Sequence, residues 1–408
     1  MRNKIYLIGI GFKPLEKKAQ EILFNAPLIL AFPGTLRIFK KYEIYFKVKE
    51  KIKVCRKIDE LLKILNEIIE KINVVILASG DPLYFGIGQR ILKIFGKEKV
   101  EIFPDLTCLQ KAGTLIKENW WEFFPLSFHG RNLEEDTLLN FLKIHKKLAI
   151  LTDSKNNPSK IAQVFENSLF KDKVKIWIFE KLGSCEERII FAKPEEIKNQ
   201  NFAEPNLIFV IVENGFSDNL LFGLKENEIF HEKGMITKDE VRAVVIHKLK
   251  LPKEGIFWDI GAGSGAISVE CALLNPYLKV YAIEKKYEAY EMIKKNKEKF
   301  ALFNLKIIRG SAPECLRDLE EPDRVFIGGS CGKLKEILEF LANLNKLKII
   351  VFTAISLDTL YKGLYFLENH NFKVDVSQIM INRLEKLGEQ KVFKALNPIF
   401  VVKAERGD

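Results

Sequence analysis

The sequence predicts an α/β protein with parallel sheets, and three observations support this fold class. Apolar runs of strand length alternate with amphipathic segments of helix length almost throughout the 408 residues. Two of the apolar runs lead directly into glycine-rich turns, near residues 80 and 261. Turn-forming residues replace the periodic pattern after residue 213, so at least two domains are expected.

The N-terminal part, 1–213, is predicted to form one domain with two α/β subdomains, about 1–105 and 106–213. Its predicted strands are 4–10, 74–78, 100–103, 147–151, 174–179, 188–191 and 207–212. Apolar periodicity and flanking signals predict helices over 56–71, 133–145 and 159–168. The glycines Gly9 and Gly11 follow the first apolar run, and together with the turn near residue 80 they indicate a cleft.

Residues 214–233 are predicted to be a linker, and residues 234–408 a second α/β domain. Its first helix is expected over 237–248, because Thr237 and Glu240 have the spacing of a capping box. Strands are predicted at or around residues 256, 280, 305–308, 325–327 and 349–352. Near the C-terminus, an antiparallel pair is expected from 373–384 and 391–403, joined across Gly388.

Composition and charge restrict the class of protein. With 47% hydrophobic and 29% charged residues the chain is expected to be globular, and no apolar run reaches the roughly 18–20 residues of a membrane helix. The six cysteines form no CxxC pair, and no export signal precedes the first strand, so we expect a cytoplasmic protein without disulfides or a metal site. The net charge of +11 fits either a polyanionic partner or a lysine-rich composition, but without an arginine-rich tail no nucleic acid is expected.

The most informative segment is 259–265, Asp-Ile-Gly-Ala-Gly-Ser-Gly, which directly follows the apolar run 256–258. Glycine permits tight or left-handed turns and lets a ligand approach the main chain closely. The helix predicted from about Ala266 directs its N-terminal amides at any group above the loop. Glu284 ends the next apolar run, where its carboxylate can accept hydrogen bonds from ribose hydroxyls.

Three interpretations of this loop compete: a site for S-adenosylmethionine (SAM), a dinucleotide site, or a structural turn. The spacing Gly261-x-Gly263-x-x-Ala266 satisfies the relaxed dinucleotide fingerprint. Asp259 and Gly265 favour SAM, because an acid two residues before the first glycine suits an ammonium and a sulfonium. The same acid would lie near the pyrophosphate of a dinucleotide, where negative charge is unfavourable.

The second glycine-rich segment, 74–88, is a turn or a site when taken alone, but its sequence resembles the tetrapyrrole methylase family, class III SAM-dependent methyltransferases. The resemblance rests on the string Leu-Ala-Ser-Gly-Asp-Pro-Leu-Tyr-Phe-Gly-Ile-Gly at 77–88. Residues 127–131, 151–153 and 180–188 resemble the branch that methylates precorrin-6. The first loop departs from the family, with Gly-Phe-Lys-Pro at 11–14 in place of Gly-Pro-Gly-Asp-Pro.

The C-terminal part resembles the decarboxylating partner of that branch, a class I methyltransferase with a Rossmann-like sheet and an antiparallel terminal hairpin. The motifs lie at 234–243, 259–265, 310–314 and 326–330. The two units occur separately or fused, and this chain resembles the fused precorrin-6Y 5,15-methyltransferases (decarboxylating) of cobalamin biosynthesis. The resemblance implies a precorrin-6-type tetrapyrrole substrate, with or without cobalt, methylated at carbon 5 by the N-terminal half. The C-terminal half would methylate carbon 15, remove the ring C acetate carboxyl as carbon dioxide, and form a homo-oligomer.

The resemblance also implies a set of site residues. For SAM these are Thr237, Asp259, Gly261, Ala262, Gly263, Ser264, Gly265, Glu284, Ser311 and Ala312 in the C-terminal half, and Ser79, Gly80, Asp81 and Thr107 in the N-terminal half. No catalytic acid or base is assigned, because aligning the reactants is the main task. Cationic candidates for substrate carboxylates are Lys238, Arg242, His129 and Arg131. Ser311 stands where the family often has an acid.

Alternative functions are an RNA- or protein-directed SAM methyltransferase, a non-catalytic tetrapyrrole-binding protein, and a dehydrogenase. The first would need a contiguous basic surface. The complete 259–265 loop argues against the second, and its leading acid argues against the third.

Overall fold

The computed structural model describes residues 3–128, 130, 132–213, 222–232 and 234–407. The chain divides into two compact units, of which the first comprises Met1–Leu133 and His145–Asn214 and the second comprises Glu134–Ile144 and Gly215–Asp408. Within the described ranges, no helix has the length and apolar character needed to cross a bilayer. All six cysteines are free thiols.

The first unit begins with an all-parallel sheet whose order is β3-β2-β4-β1-β5. Its strands are β1 (Ile5–Ile10), β2 (Leu28–Ala31), β3 (Ile52–Val54), β4 (Val74–Ser79) and β5 (Val100–Phe103). The helices between them are α1 (Lys17–Asn25), α2 (Pro33–Phe39), α3 (Tyr45–Val48), α4 (Ile58–Ile68) and α5 (Gly88–Phe95). This sheet confirms the predicted α/β architecture of the N-terminal part.

A mixed sheet follows, with the order β6-β7-β10-β8-β9. Its strands are β6 (Phe124–Ser127), β7 (Lys147–Leu151), β8 (Val174–Glu180), β9 (Arg188–Ala192) and β10 (Asn206–Val212). The associated helices are α6 (Cys108–Ile116), α7 (Glu135–His145), α8 (Pro158–Glu166) and α9 (Pro194–Ile197). Helix α7 falls almost entirely within the second compact unit.

The central strands of the first sheet are buried on both faces, which explains why their sequences are apolar without alternation. Ile8, Ile10 and Val75 pack in the cluster that contains residues of α1 and α2. Residues of the opposite parity, such as Leu7 and Ile76, pack with residues of α4 and α5. Because helices cover both faces, the carboxyl ends of the strands are left for a ligand.

The second unit has a seven-stranded sheet with the order β13-β12-β11-β14-β15-β19-β16, in which β19 alone runs antiparallel to its neighbours. Its strands are β11 (Gly255–Ile260), β12 (Leu278–Glu284), β13 (Leu305–Arg309), β14 (Arg324–Ile327), β15 (Ile349–Ala354), β16 (Phe372–Ile379) and β19 (Ile399–Arg406). A separate hairpin consists of β17 (Asn382–Leu387) and β18 (Gln390–Ala395). The remaining helices are α10 (Asp239–Leu249), α11 (Ala266–Leu274), α12 (Tyr287–Lys299), α13 (Leu334–Ala342) and α14 (Leu357–Glu368).

The predicted C-terminal antiparallel pair is present, but it is divided. β16 and β19 pair along their whole lengths inside the main sheet, whereas β17 and β18 form the small hairpin around Gly388. This arrangement agrees with a Rossmann-like sheet that ends in antiparallel strands, so the predicted fold class is confirmed.

Two local features of the second unit differ from expectation. Helix α10 begins at Asp239 with Lys238 as its N-cap, so the predicted capping box of Thr237 and Glu240 is wrong. The Thr237 carbonyl instead accepts a hydrogen bond from Arg242. Residues 222–232, within the predicted linker, pack on the second unit, where Leu224 and Ile229 join its core.

Candidate cofactor sites

A cavity of about 260 Å³ lies at the carboxyl ends of the parallel strands in the second unit. Four consecutive strand ends contribute to it, because β11, β12, β13 and β14 are neighbours in the sheet. The cavity is lined by Glu232, Met235, Ile260, Gly261, Gly263, Ser264, Ile283, Glu284, Lys285, Lys286, Glu288, Ala289, Met292, Gly310, Ser311, Ala312, Gly329, Ser330, Cys331 and Ile337. Ligands bind at this edge of open α/β sheets in general.

Two glycines of the loop have different physical reasons to be glycine. Gly261 has φ +67°, and a Cβ there would lie 2.1 Å from the carbonyl oxygen of Gly329. Gly263 has φ +58°, but a Cβ there would meet no atom within 4 Å. The first glycine therefore permits two loops to touch, and the second leaves room beside the main chain for a ligand.

The Glu284 carboxylate ties the loop to the end of β12. Its Oε2 accepts from the amide of Gly263 at 2.8 Å, and its Oε1 accepts from the amide of Lys286 at 2.8 Å. The side chain is largely buried but lines the cavity. Because an ionised carboxylate has about four lone-pair sites, each oxygen retains capacity for a hydroxyl donor.

Asp259 lies behind the loop and does not line the cavity. Its Oδ2 accepts from the Ser268 amide at 3.1 Å and from the Ser268 hydroxyl at 2.5 Å, so the carboxylate caps the first turn of α11. Oδ1 is buried without a hydrogen-bond partner among the described residues. Burial raises the pKa of Asp259 to about 7, although the Ser268 hydrogen bonds act to lower it.

Of the other SAM-binding residues predicted in the C-terminal half, some line the cavity and some do not. Ser264, Ser311 and Ala312 line the cavity with Gly261 and Gly263. Thr237, Ala262 and Gly265 are not among the lining residues. The amide of Ala262 donates to the Ile283 carbonyl, and Gly265 packs on Ile293 beneath the loop.

Arg242 is not available to a substrate carboxylate, which corrects one candidate. Its side chain is fully buried, with Nε 3.3 Å from Glu270 Oε2. NH1 donates to the Thr237 carbonyl and NH2 to the Leu224 carbonyl. These partners occupy the guanidinium, so Arg242 has a structural role.

Lys238 is partly exposed and pairs with Glu226 at 2.7 Å, outside the cavity lining. The other two cationic candidates, His129 and Arg131, lie outside the described residues.

A larger cavity, about 680 Å³, lies in the first unit at the carboxyl end of β4. All four predicted N-terminal residues line it, and the structure brings them together from two loops. The lining residues are Phe12, Phe32, Thr35, Ile58, Leu77, Ala78, Ser79, Gly80, Asp81, Tyr84, Phe85, Gly86, Ile87, Arg90, Thr107, Cys108 and Leu151. Its size falls within the roughly 300–1,000 Å³ of small-molecule sites.

Hydrogen bonds within the two loops fix the N-terminal residues. Asp81 Oδ1 accepts from the Leu83 amide at 2.8 Å, which closes the turn after β4. The Thr107 hydroxyl accepts from the Gln110 amide at 3.0 Å and caps α6. The first loop is held nearby, because the buried Asp105 accepts from the Phe12 amide at 2.7 Å.

A third cavity, about 440 Å³, adjoins the previous one and shares Phe12 and Ser79 with it. Its lining includes Lys13 and Lys41. The loop 11–14 thus lines a cavity in the structure even though its sequence departs from the tetrapyrrole methylase pattern.

Sequence reasoning missed several lining residues. Glu232 fell within the predicted linker, where no local pattern marks it. Met235 lies in the motif at 234–243 but was not among the predicted site residues. Tyr84 lies three residues after Asp81, and Cys108 directly follows Thr107. Burial raises the pKa of both side chains, that of Cys108 to about 11. The signal that could have indicated Cys108 is its position directly after Thr107, at the start of a helix.

Comparisons with known proteins cover both units. Residues 4–198 match the model of Tetrapyrrole (Corrin/Porphyrin) Methylases, and residues 228–406 match that of the Precorrin methyltransferase domain. A probable cobalt-precorrin-6B C(15)-methyltransferase (decarboxylating) of Sulfurisphaera tokodaii is 40% identical over 190 residues, covering 45% of this chain and 97% of that protein. The precorrin-6Y C5,15-methyltransferase structure from Geobacter metallireducens is 37% identical, with a TM-score of 0.45, covering 47% of this chain and all of that one.

A longer match extends over parts of both units. The precorrin-6Y C(5,15)-methyltransferase [decarboxylating] of Sinorhizobium is 30% identical over 258 residues, which cover 63% of this chain and 62% of that protein. The match thus spans less than two thirds of that relative's length. Together with the cavities and the sheet order, the two domain matches and the 40% identical relative confirm the resemblance inferred from the sequence motifs. The chain belongs to the family of decarboxylating precorrin-6 methyltransferases of cobalamin biosynthesis, enzymes that use SAM as their methyl donor.

Proposed function

We propose that this chain transfers two methyl groups from SAM to a precorrin-6-type tetrapyrrole, at carbons 5 and 15, and removes the ring C acetate carboxyl as carbon dioxide. One observation carries the proposal. Each compact unit has its own cavity at the carboxyl ends of a parallel sheet, with a glycine-containing turn in its wall. Two independent methyl-transfer sites are what a bifunctional methyltransferase needs.

The residues of the C-terminal cavity fit SAM. Glu284 presents a carboxylate held by two backbone amides, which orients its free lone pairs for ribose hydroxyls. Gly263 leaves its side of the loop open for the cofactor. Ser311 and Ala312 lie beside the same space and would contact the adenine. Asp259 supports the site indirectly, since it caps the helix on which the loop ends.

The residues of the N-terminal cavity fit the same cofactor in a different way. Ser79, Gly80 and Asp81 form the turn over which it would lie, and Thr107 begins the helix on the other side. The adjoining 440 Å³ cavity would accept the edge of the tetrapyrrole, because Lys13 and Lys41 can pair with its carboxylates. Lys13 contacts Glu16 at 3.3 Å, and such exposed pairs are weak enough to exchange.

The main requirement of the proposed methyl transfer is the alignment of the SAM methyl group with the bridge carbon. Bound SAM supplies an electrophilic methyl group on a sulfonium, and the bridge carbons of a reduced tetrapyrrole are enamine-like nucleophiles. The walls of each cavity hold donor and acceptor in line and exclude water, which lowers the entropic part of the barrier. In decarboxylation, the bond between the acetate methylene and its carboxyl group would break, the electron pair would pass into the conjugated macrocycle as carbon dioxide leaves, and the methylene carbon would then take up a proton to become a methyl group. For the bond breaking, the protein needs only to hold the acetate out of the ring plane.

The proposal also covers the domain boundaries, the cellular compartment and the oligomeric state of the enzyme. The tetrapyrrole methylase domain would comprise 1–213 and the decarboxylating domain 234–408, preceded by the packed segment 222–232. A cytoplasmic homo-oligomer formed through the C-terminal domain, without nucleic acid as a partner, completes it.

Calorimetric titration of the full chain with SAM tests the proposal. We expect two sites, one of which is weakened by about 1.5–3 kcal/mol in Glu284→Gln, the range for hydrogen bonds to a charged group. Glu288→Gln is the matched control, because Glu288 lines the same cavity from α12. One site in total, or equal effects of the two variants, would contradict the assignment.

A further inference from the structure

Residues 222–232 form a strap, the name used here for this segment, that leads to the C-terminal cavity. Glu232, at its end, lines the cavity, and Met235, three residues further along the chain, lines it as well. The Met235 amide donates to the Glu232 carbonyl at 2.8 Å, so the two side chains project from one turn. None of the site motifs includes the strap.

A single buried amide joins the strap to the glycine loop. Asn296, in the last turn of α12, is fully buried. Its Oδ1 accepts from the Phe230 amide at 2.8 Å. Its Nδ2 donates to the carbonyls of Phe230 and Ser264, each at 2.9 Å. One side chain therefore satisfies both backbone groups of a strap residue and a carbonyl between Gly263 and Gly265.

A second buried group holds the start of the strap. Glu270 Oε1 accepts from the amides of Gly223 and Leu224, at 3.0 and 2.6 Å. Arg242 pairs with the same carboxylate and donates to the Leu224 carbonyl. This anchor is remote from the glycine loop, whereas Asn296 contacts the loop itself.

We propose that Asn296 is a positioning residue for SAM in the C-terminal site, and that Glu232 and Met235 form a wall of that site. The inference rests on the proposed function, because it assumes that SAM occupies this cavity. Asn296 sets the separation between the loop below the cofactor and the turn that carries the wall. Glu232 adds an acid that can attract the ammonium or sulfonium of the cofactor.

The hydrogen-bond pattern explains why an asparagine is needed at this position. The Phe230 amide requires an acceptor, and the two carbonyls require donors, which only a side-chain amide supplies together. Asp has the same size but directs an oxygen at two carbonyl oxygens. Leaving buried backbone groups unpaired is unfavourable, so strap and loop would separate in Asn296→Asp.

SAM titration of the full chain compares Asn296→Asp with Asn304→Asp. The control is matched, because the Asn304 side chain likewise contacts three backbone groups: its Nδ2 donates to the carbonyls of Ala272, Asn275 and Leu278, at the opposite end of the sheet. We expect Asn296→Asp to raise the dissociation constant of the Glu284-dependent site about tenfold. Asn304→Asp should lower the melting temperature but leave that constant unchanged. Equal effects of the two variants on the constant would overturn the inference.

Hydrogen exchange of the unmodified chain tests the inference even if Asn296→Asp does not fold. Because coupling is reciprocal, saturating SAM should slow exchange in the peptide that contains Phe230, and not in the peptide that contains Asn304. Unchanged exchange at Phe230 while the Glu284-dependent site is saturated would overturn it. If Glu284→Gln weakens no site at all, the proposed function fails instead, which distinguishes the two failures.

Discussion

Asp259 and Glu284 are carboxylates at the ends of adjacent strands, β11 and β12, yet their surroundings give them different roles. Glu284 faces the cavity and is held by two amides, so it is ready to bind hydroxyls. Asp259 is almost fully buried and caps α11 from behind the loop, because Gly265, at the N-cap, has no side chain for that purpose. The acid that favoured SAM in the sequence therefore supports the loop rather than the ligand.

The raised pKa of Asp259 predicts a pH effect on stability. In the unfolded chain this carboxyl ionises near its ordinary value of 3.8, whereas in the fold it keeps its proton up to about pH 7. The folded state binds more protons over this window, so Asp259 lowers stability progressively as the pH rises from about 4 to 7.

Asp259→Asn removes this titration but keeps an oxygen for Ser268. We expect the melting temperature of the variant, relative to that of the unmodified protein, to be higher at pH 8 than at pH 5. Scanning calorimetry at both pH values measures the difference, with Ser268→Ala as a control that loses the hydroxyl hydrogen bond but retains the acid. An equal difference between Asn variant and parent at the two pH values would contradict the raised pKa.

The sequence predicted the location of single residues correctly where that location depends only on neighbouring residues in the chain. Glu284 lies in the cavity as predicted, because a residue that ends a parallel strand is carried to the ligand edge. Arg242 was misjudged, because its partner Glu270 is 28 residues away and the pair forms only when α10 packs on α11. One feature of the sequence could have indicated Asn296. It is a polar residue on the buried face of α12, three positions after the buried Ile293.

Among the elements, the loop between β11 and α11 determines the shape of the C-terminal cavity. It is fixed from three directions, by the Ile283 carbonyl, the Glu284 carboxylate and the Asn296 amide. Gly261 touches the backbone of Gly329 in the loop after β14, so the two loops define one wall together.

Replacing two of these glycines by alanine separates packing from backbone strain. Gly261→Ala and Gly263→Ala share the cost of a left-handed alanine, about 1–2 kcal/mol. Only Gly261→Ala also collides with Gly329, so it should destabilise the second unit by more. Gly263→Ala should remain folded and bind SAM more weakly, as measured by thermal unfolding and titration. Equal losses of stability would show that strain alone governs both positions.

The packing of the strap on the second unit could not be predicted from its sequence. Its sequence is polar and aperiodic, which is typical of a linker, yet Leu224 and Ile229 are buried. Their burial depends on partners far along the chain, on α11 and α12. Most strand positions and the glycine turns were predictable, because hydrophobic runs and turn residues are local signals. The short strands β2, β3 and β6 were not predicted.

At the scale of the molecule, each unit has its own core and its own cavity at the carboxyl ends of a parallel sheet. The order of motifs along the sequence predicted this duplication, since two different glycine-rich turns follow strands in separate blocks. The seven-stranded order with an antiparallel β19 was predictable only as a class, because strand pairing across the sheet is non-local. If each cavity binds SAM as proposed, we expect that the two methylations can be separated by substitution.

The mass of the product formed from precorrin-6B, or from its cobalt form, with excess SAM tests the central claim most directly. The intact chain should add two methyl groups and release one carbon dioxide. Glu284→Gln should slow carbon 15 methylation and carbon dioxide release while carbon 5 methylation continues. Asp81→Ala should suppress carbon 5 methylation, but on substrate already methylated at carbon 5 it should still methylate carbon 15 and release carbon dioxide. A product with a single added methyl group from the intact chain, or loss of both methylations in Glu284→Gln, would contradict two independent SAM sites.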